Sequence, residues 1–247
     1  MTALGFLHPG HSAEDDYPRI EQLLGSDIRV ELVRTDTGTE LAEDAHQGDA
    51  PLRLGAPHRL AAGVEQLRLS GAEAVVWAST SGSFGYGWEG AHEQVRTLAT
   101  TAGMPASSTS FAFVHAVQEV GAMRVAVGAT YPREVSARFA EFLRAGGVEV
   151  TALHSVGVAT AAEAGAWGEE EVLALARAAD DPGAEAVLLP DTALHTVACI
   201  PALEKELGKP VLTANQVTVW EALRLTARRV NAPGLGALFT REPIVQV

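Results

Sequence analysis

Short apolar runs alternate with longer amphipathic segments along the chain, and this alternation constrains the fold more than any other feature of the sequence. Short apolar runs bounded by turn residues are typical of buried strands, whereas the longer segments have helical spacing. Such an order predicts mostly parallel sheets with helices on their faces. The predicted strands are Ala3–His8, Ile28–Val33, Glu73–Ser79, Pro105–Ser108, Arg124–Thr130, Val148–His154, Glu185–Pro190 and Pro210–Thr213. The predicted helices are Glu14–Leu24, Ala56–Leu69, Glu89–Ala102, Phe111–Val120, Pro132–Ala145, Glu169–Ala179, Thr192–Leu207 and Val217–Arg228.

An internal repeat divides this pattern into two similar halves. The pentapeptide Gly-Ala-Glu-Ala-Val at Gly71–Val75 recurs at Gly183–Val187, and each copy leads into a predicted strand. A helix and a Gly-x-Pro turn follow each copy in the same order. A repeat of this kind indicates two copies of one supersecondary arrangement. We therefore predict an α/β fold of two pseudo-symmetric, doubly wound, parallel four-stranded sheets. The first half covers residues 1–120, completed by 217–247, and the second covers 121–216.

Composition excludes several classes of partner. The 247 residues carry a net charge of −13, and no Lys/Arg cluster offers a surface for nucleic acid or an anionic membrane. A single cysteine can form neither an intramolecular disulfide nor a cysteine-rich zinc site. The N-terminus lacks the basic and apolar regions of a signal peptide, and no apolar run is long enough for a membrane segment. We expect a cytoplasmic protein with a small-molecule partner.

Polar residues follow the predicted strands of both halves. Ser79–Ser83 gives hydroxyls and backbone amides after one strand, and Asp191 with Thr192 follows the equivalent strand of the other half. Thr130–Tyr131 and Asn215 follow two more strands. In open α/β sheets, ligands bind beyond the carboxyl ends of the strands. Donors directed at a carboxylate or an enolate resemble an oxyanion hole, which suits carbon-acid chemistry on small carboxylates.

These segments resemble the aspartate/glutamate racemase superfamily, and within it the arylmalonate decarboxylase and maleate cis-trans isomerase group. The most specific piece is Ser79–Phe84, which is similar to the family's first strand-end motif. Leu189–Thr192 resembles the second catalytic segment, and Thr213–Gln216 resembles the segment that closes the cleft. The resemblance implies an active site between the two halves, no metal site and no organic cofactor, and it allows a homodimer. It also implies a substrate pocket formed by Thr80, Ser81, Tyr131, Thr192, Pro9 and Asn215.

The sequence departs from the resembling family at both reactive positions. Ser79 stands where the first cysteine would be, and Asp191 stands where the second would be. The only cysteine, Cys199, is predicted about two turns into the following helix. An unactivated serine hydroxyl is too weak an acid or base for two-thiol racemisation, whereas a carboxyl group can act if its surroundings tune its pKa. Burial beside a bound carboxylate would raise the pKa of Asp191 and favour a protonated donor.

The leading hypothesis is a cofactor-independent decarboxylase, or a related carbon-acid lyase or isomerase, that acts on a small carboxylate. The predicted catalytic residues are Asp191, as proton donor or acceptor, and Ser79. One alternative is a non-catalytic relative that binds small carboxylates. Another is a cis-trans isomerase of the maleate isomerase type with a non-thiol mechanism.

Other features have ordinary interpretations. Asp191 could simply cap a helix, and Cys199 could be a small buried hydrophobe. The acidic run Glu14–Asp16 is expected to face solvent at a helix start. The aromatic residues of Gly82–Trp88 are compatible either with a mobile lid or with packing of the segment against its own helix.

Overall fold

Two four-stranded parallel sheets form the framework of the computed structural model, which describes residues 1–10, 12–25, 27–35 and 50–240. The first sheet has the order β2-β1-β3-β4, and the second has the equivalent order β6-β5-β7-β8. The strands are β1 (Thr2–His8), β2 (Ile28–Arg34), β3 (Ala74–Trp77), β4 (Ala106–Ser108), β5 (Arg124–Ala129), β6 (Glu149–Ser155), β7 (Ala186–Leu189) and β8 (Val211–Thr213).

The repeat in the sequence corresponds to equivalent positions in the two sheets. Gly71–Val75 leads into β3, and Gly183–Val187 leads into β7. Each of these strands pairs with the central first strand of its own sheet, as in Phe6 opposite Val76 and Ala126 opposite Val187. The predicted pair of pseudo-symmetric four-stranded parallel sheets is thereby confirmed.

Helices cover the faces of both sheets. In the described part of the chain they are α1 (Asp16–Leu24), α2 (Ala50–Leu54), α3 (Pro57–Leu69), α4 (Ser81–Phe84), α5 (Gly87–Ala102), α6 (Thr109–Glu119), α7 (Arg133–Ala145), α8 (Ala161–Gly165), α9 (Glu169–Ala179), α10 (Ile200–Leu207) and α11 (Ala214–Leu225). Two short 3₁₀ helices, Pro233–Leu235 and Ala237–Phe239, follow.

One predicted helix begins later than the sequence pattern indicated. The prediction covered Thr192–Leu207, but helix α10 begins at Ile200, and residues 192–199 form turns. Proline is tolerated in the first turn of a helix and disrupts the interior, because its ring replaces a hydrogen-bonding N–H. Pro201, the second residue of α10, therefore fits the observed start and opposes the predicted one.

Helix α11 joins the two halves. It packs against α6 and contacts β1, β3 and β4 of the first sheet, in addition to β8, which it directly follows. The proposed division at residues 120 and 216 stays a prediction, and residues 241–247 of its last segment lie outside the described residues. No helix in the described part of the chain has the length and apolarity that crossing a bilayer requires.

The aromatic residues of Gly82–Trp88 are packed against the core. Phe84 is buried, with its ring centroid 5.3 Å from that of Phe139. The ring of Trp88 lies 5.3 Å from Phe111 and 5.0 Å from Phe142. Of the two interpretations of this segment, the structure favours packing over a mobile lid, because these side chains form part of the hydrophobic core between the halves.

Candidate active site

Asp191 lies immediately beyond β7, and its side chain is held through both carboxyl oxygens. The residue is only 2% exposed. The backbone N–H of Ala193 donates to Oδ1 at 2.9 Å, and the hydroxyl of Thr130, which follows β5, donates to Oδ2. No helix begins here, so Asp191 caps a turn and not the helix that the sequence suggested. The structure thus presents one buried carboxyl group whose orientation is fixed.

The carbonyl group that precedes Asp191 accepts hydrogen bonds from both halves. Thr80 of the first half donates its hydroxyl to Pro190 O at 2.6 Å. Tyr131 of the second half donates its phenol to the same oxygen at 3.0 Å. Both donors are buried, so these bonds are shielded from water. Two predicted pocket residues therefore meet at the backbone of the predicted acid.

Burial also determines the protonation of Tyr131. Desolvation and the nearby charge of Asp191 raise the pKa of the phenol well above its ordinary value, although hydrogen bonding with Thr80 and Ser81 opposes the rise. The phenol is therefore neutral at physiological pH and acts as a hydrogen-bond donor. A neutral donor beside a carboxyl group can orient it without adding a second charge.

Ser79 lies at the equivalent end of β3, where the chain turns directly into the short helix α4. Its Oγ accepts the N–H of Gly82 at 3.2 Å, and the residue is 3% exposed. A side chain at Gly82 would place its Cβ 2.9 Å from both Ser79 Oγ and Trp77 Nε1. The turn after β3 thus requires glycine at this position because neighbouring side chains fill the space.

Two serines support this turn: Ser108, the last residue of the adjacent strand β4, and Ser110 just beyond it. Ser110 Oγ donates to Thr80 O at 2.8 Å and accepts the N–H of Phe84 at 3.1 Å. Ser83 and Ser108 share a hydrogen bond of 2.8 Å between their hydroxyls. Ser108 and Ser110 were not among the predicted site residues, although their place at the end of a predicted strand could have indicated a role at this edge of the sheet.

The other predicted pocket residues lie farther along the same edge. Asn215 is fully buried in the first turn of α11, with Nδ2 3.0 Å from Asp16 Oδ2 and 3.4 Å from Thr192 O. Thr192 is half-buried. Pro9 lines an open groove of about 1060 Å³ together with residues of both halves, including Ser12 and His195. Whether these residues and Thr80, Ser81 and Tyr131 bind substrate stays a prediction.

Asp16 is the main residue that the sequence analysis misjudged. The prediction placed Glu14–Asp16 in solvent, but Asp16 is 3% exposed. Its Oδ2 accepts the N–H of Thr196 at 3.1 Å and the Nδ2 group of Asn215. The signal was the helical phase: Tyr17, Ile20 and Leu24 form the buried face of α1, and position 16 lies at the edge of that face.

Cys199 and His195 also occupy positions different from those predicted. Cys199 precedes α10 as its N-cap and is 3% exposed. Burial raises the pKa of its thiol, and the charges of Glu169 and Asp16 raise it further, which agrees with a small buried hydrophobe and not with a nucleophile. The predicted helix Thr192–Leu207 would have placed His195 about one turn beyond Asp191; instead His195 lies before α10 begins, and its Nδ1 pairs with Asp15 Oδ1 at 2.9 Å.

Within residues 1–10, 12–25, 27–35 and 50–240, the structure brings together no group of three or more His, Cys, Asp or Glu side chains that could hold a metal ion.

Comparison with protein-family models finds one that covers most of the chain. The model described as arylmalonate decarboxylase matches residues 56–239. The arylmalonate decarboxylase of Bordetella bronchiseptica is 32% identical over 180 residues, which make up 70% of this chain and 74% of that protein. A maleate isomerase of Geobacillus stearothermophilus is 28% identical over 139 residues, 55% of each protein. The match thus spans about half the length of this isomerase.

Solved structures share the fold over nearly the whole chain. A liganded double mutant of arylmalonate decarboxylase superposes with a TM-score of 0.83 at 23% identity, covering 97% of this chain and 99% of the other. A maleate cis-trans isomerase of Nocardia farcinica superposes with a TM-score of 0.84 at 20% identity, covering 97% and 98%. At these identities the likeness concerns the fold.

Proposed function

Because the chain belongs to the arylmalonate decarboxylase family, we propose that it removes CO₂ from a small malonate-type dicarboxylate and that Asp191 protonates the resulting enediolate. At a coarser level, the chain is an enzyme of the arylmalonate decarboxylase and maleate isomerase type. The substrate, the reaction and the role of each residue are what we propose beyond this.

The geometry of Asp191 is the observation that carries this proposal. A carboxyl group that is 2% exposed and contacts Thr130 and the Ala193 amide has a fixed position where the two halves meet at the Thr80–Pro190 hydrogen bond. A carboxyl group held in this way can act on a carbon atom that is bound against it, since general acid catalysis requires the donor to lie within hydrogen-bonding reach.

The proposed reaction has two steps. The bond between the α-carbon and one carboxylate breaks, CO₂ leaves, and the electron pair of that bond moves into the remaining carboxylate to give an enediolate. The Asp191 carboxyl group then transfers its proton to the α-carbon and becomes a carboxylate. Solvent returns a proton to Asp191 before the next cycle. General acid catalysis of this kind contributes about 10²–10⁴-fold to a rate.

The remaining groups would bind the developing anion. Ser79 uses its oxygen to accept the Gly82 N–H, so its hydroxyl hydrogen can be directed to a bound carboxylate. Thr80 and Tyr131 give their hydroxyl hydrogens to Pro190 O, so they would bind an enediolate only after turning from that carbonyl group to the ligand. Together with Ser81 they would then be neutral donors, which stabilise an enediolate most when they are fixed in a water-poor site. Because Ser79 has no role as a base in this scheme, protonation takes place from one side only and the product has one configuration.

A second candidate function is cis-trans isomerisation of maleate. Maleate isomerases of three organisms, 27% to 28% identical to this chain, support it. A mutant of the Nocardia farcinica isomerase holds a covalently bound succinylcysteine intermediate. This chain has Ser79 and Asp191 at the two strand ends and a buried Cys199 outside them, so isomerisation here would need a non-thiol route.

The test is a substrate panel followed by NMR in D₂O. We expect release of CO₂ from phenylmalonate or methyl(phenyl)malonate, one deuterium at the α-carbon and one product configuration. Asp191→Asn should lower kcat by about 10²–10⁴-fold. Asp27→Asn is the matched control, because Asp27 is exposed and pairs with Arg228 at the surface.

Three results would contradict the proposal. Full turnover by Asp191→Asn would remove the proposed acid. Conversion of maleate to fumarate without decarboxylation of any malonate would favour the isomerase. Binding of these carboxylates without turnover by the wild-type protein would favour the non-catalytic alternative.

A further inference from the structure

A short segment of the first half holds the turns that follow Asp191 in the second half. We name residues 191–199 the Asp191 loop. Ser12 Oγ donates to Ala193 O at 2.6 Å, Asp15 pairs with His195 at 2.9 Å, and Asp16 accepts the Thr196 N–H at 3.1 Å. These contacts join residues about 180 positions apart in the chain. The loop is therefore fixed from outside its own half.

The three contacts differ in burial. Asp15 is 74% exposed in its side chain and His195 is 39% exposed, so their contact is screened by solvent and contributes little. Asp16 is 3% exposed, and the same oxygen that accepts the Thr196 N–H also accepts from Asn215 at 3.0 Å. Asp16 thus connects the Asp191 loop to the first turn of α11.

A carboxylate in this environment carries a cost that its neighbours only partly offset. Burial raises the pKa of Asp16 above its ordinary value, the negative Asp15 adds to the rise, and amide donors from Asn215, Thr196 and Val197 oppose it. A neutral side chain of similar size would avoid that cost. An aspartate at this position is explained if the strong hydrogen bonds that it accepts hold the Asp191 loop in a defined position.

We propose that Asp16 is a positioning residue for Asp191: by binding the Thr196 N–H and Asn215, it sets the course of the Asp191 loop and so the direction of the Ala193 N–H that holds the acid. This inference rests on the proposed role of Asp191. Asp16 touches neither the carboxyl group of Asp191 nor the reacting carbon. Its effect passes through the backbone between Ala193 and Thr196.

Loss of a positioning residue should lower kcat much more than it changes KM. A displacement of a catalytic group by about 1 Å can lower a rate by about 10²-fold without removing any contact to the substrate. We therefore expect Asp16→Ala to lower kcat by about 10²-fold and to leave KM within about threefold of wild type. Asp16→Asn keeps one acceptor oxygen, so its loss of kcat should be smaller. Asp15→Ala is the matched control in the adjacent exposed residue, and its kinetics should equal those of wild type.

Hydrogen–deuterium exchange tests the same inference without any substrate. Asp16→Ala should speed exchange in the peptide that covers residues 191–199 and leave peptides from β5 and β7 unchanged. Asp15→Ala should change neither. This readout separates the two proposals: if the wild-type protein turns over none of the carboxylates, exchange still decides whether Asp16 positions the loop.

Specific results would overturn the inference. Wild-type exchange and wild-type kcat in Asp16→Ala would do so, and so would faster exchange throughout the molecule, because that pattern indicates a merely structural role. If Asp16→Ala does not fold, Ser12→Ala and Asp16→Asn replace it. Each should speed exchange of the Asp191 loop to a smaller extent, and unchanged exchange in both would equally exclude the proposal.

Discussion

The two equivalent strand ends of this molecule are built differently. After β3, the chain enters α4 within a few residues, and Ser79, Gly82 and Ser110 hydrogen-bond within the first half. After β7, the chain makes turns up to Ile200, and its supports come from Thr80 and Asp16 of the other half as well as from Thr130. We call the first end self-contained because the hydrogen bonds that close its turn lie within the first half, although Thr80 also bonds to Pro190 O of the other half. The turns after Asp191 depend on how the halves meet.

The difference indicates where a scaffold of two similar halves can hold a single acid. The Asp191 carboxyl group lies at the strand end that both halves support, so its position depends on how the two halves pack against each other. Ser79 lies at the end that forms locally. In a protein with two equal reactive groups, we would expect the two ends to be supported alike.

The strongest test of the comparison replaces the proposed acid Asp191 and the equivalent Ser79 with inert side chains. Asp191→Asn is expected to lower kcat by about 10²–10⁴-fold, because it removes the proton donor. Ser79→Ala is expected to lower kcat only by about 10-fold, the effect of one lost neutral hydrogen bond to a bound anion. Steady-state kinetics on phenylmalonate measures both, and equal losses at the two positions would contradict the asymmetry.

A second test concerns the contact between α6 and α11, the equivalent helices of the two halves. Glu221 on α11 is fully buried, with Arg224 at 2.7 Å and His115 of α6 at 3.0 Å. Burial raises the pKa of this carboxyl group, but Arg224 and His115 outweigh burial and lower it to about 2. Glu221→Gln should lower the free energy of unfolding at pH 7 on the order of 2–3 kcal/mol while kcat stays close to wild type.

The pH dependence of this loss has a defined sign. A carboxyl group whose pKa is lower in the folded than in the unfolded state stabilises the fold above the unfolded pKa. The difference between wild type and Glu221→Gln should therefore be complete at pH 7 and shrink as the pH falls from about 4.5 to about 2. Urea unfolding at several pH values measures it, and a difference that grows toward low pH would exclude this account.

The third test examines the self-contained strand end. Gly82→Ala would place a Cβ 2.9 Å from Ser79 Oγ and from Trp77 Nε1, so we expect a loss of about 1–3 kcal/mol in the free energy of unfolding. Gly234→Ala is the control, because its nearest neighbour, a Leu23 methyl group, would be 3.4 Å away. Thermal unfolding of both variants measures the effect, and equal stability would mean that the turn after β3 can widen.

The smallest expected effect is at the end that both halves hold. Thr130→Val removes the hydroxyl that donates to Asp191 Oδ2 and should lower stability by about 1 kcal/mol. Because the Ala193 N–H still holds Oδ1, kcat should fall by no more than about 10-fold, as steady-state kinetics would record. A loss of kcat as large as that of Asp191→Asn would contradict a merely supporting role for Thr130.

Much of the fold was predictable because local sequence patterns indicate it. Apolar runs gave the strands, and the repeat at Gly71–Val75 and Gly183–Val187 gave the equivalence of the sheets. The most displaced helix start, that of α10, had a local signal too, since Pro201 belongs in a first turn. These features depend on residues close together in the chain.

The candidate site was predictable only in part, since its supports are long-range. Asp191 and Thr130 could be named because each follows a strand. The buried position of Asp16 and its bond to Asn215 depend on how α1 meets α11, and no spacing in the sequence reports that contact. Pairing of Thr80 and Tyr131 at one carbonyl likewise needs both halves in place.

The position of α11 also has a consequence for how the chain folds. This helix covers part of the first sheet, and its Asn215 bonds to Asp16, 199 residues earlier. Contacts between such distant parts of a chain slow folding, because a long loop must close before they form. During synthesis, part of the first sheet therefore keeps an uncovered apolar face until residues 214–225 have been made, and this intermediate is where chaperone dependence and aggregation should arise.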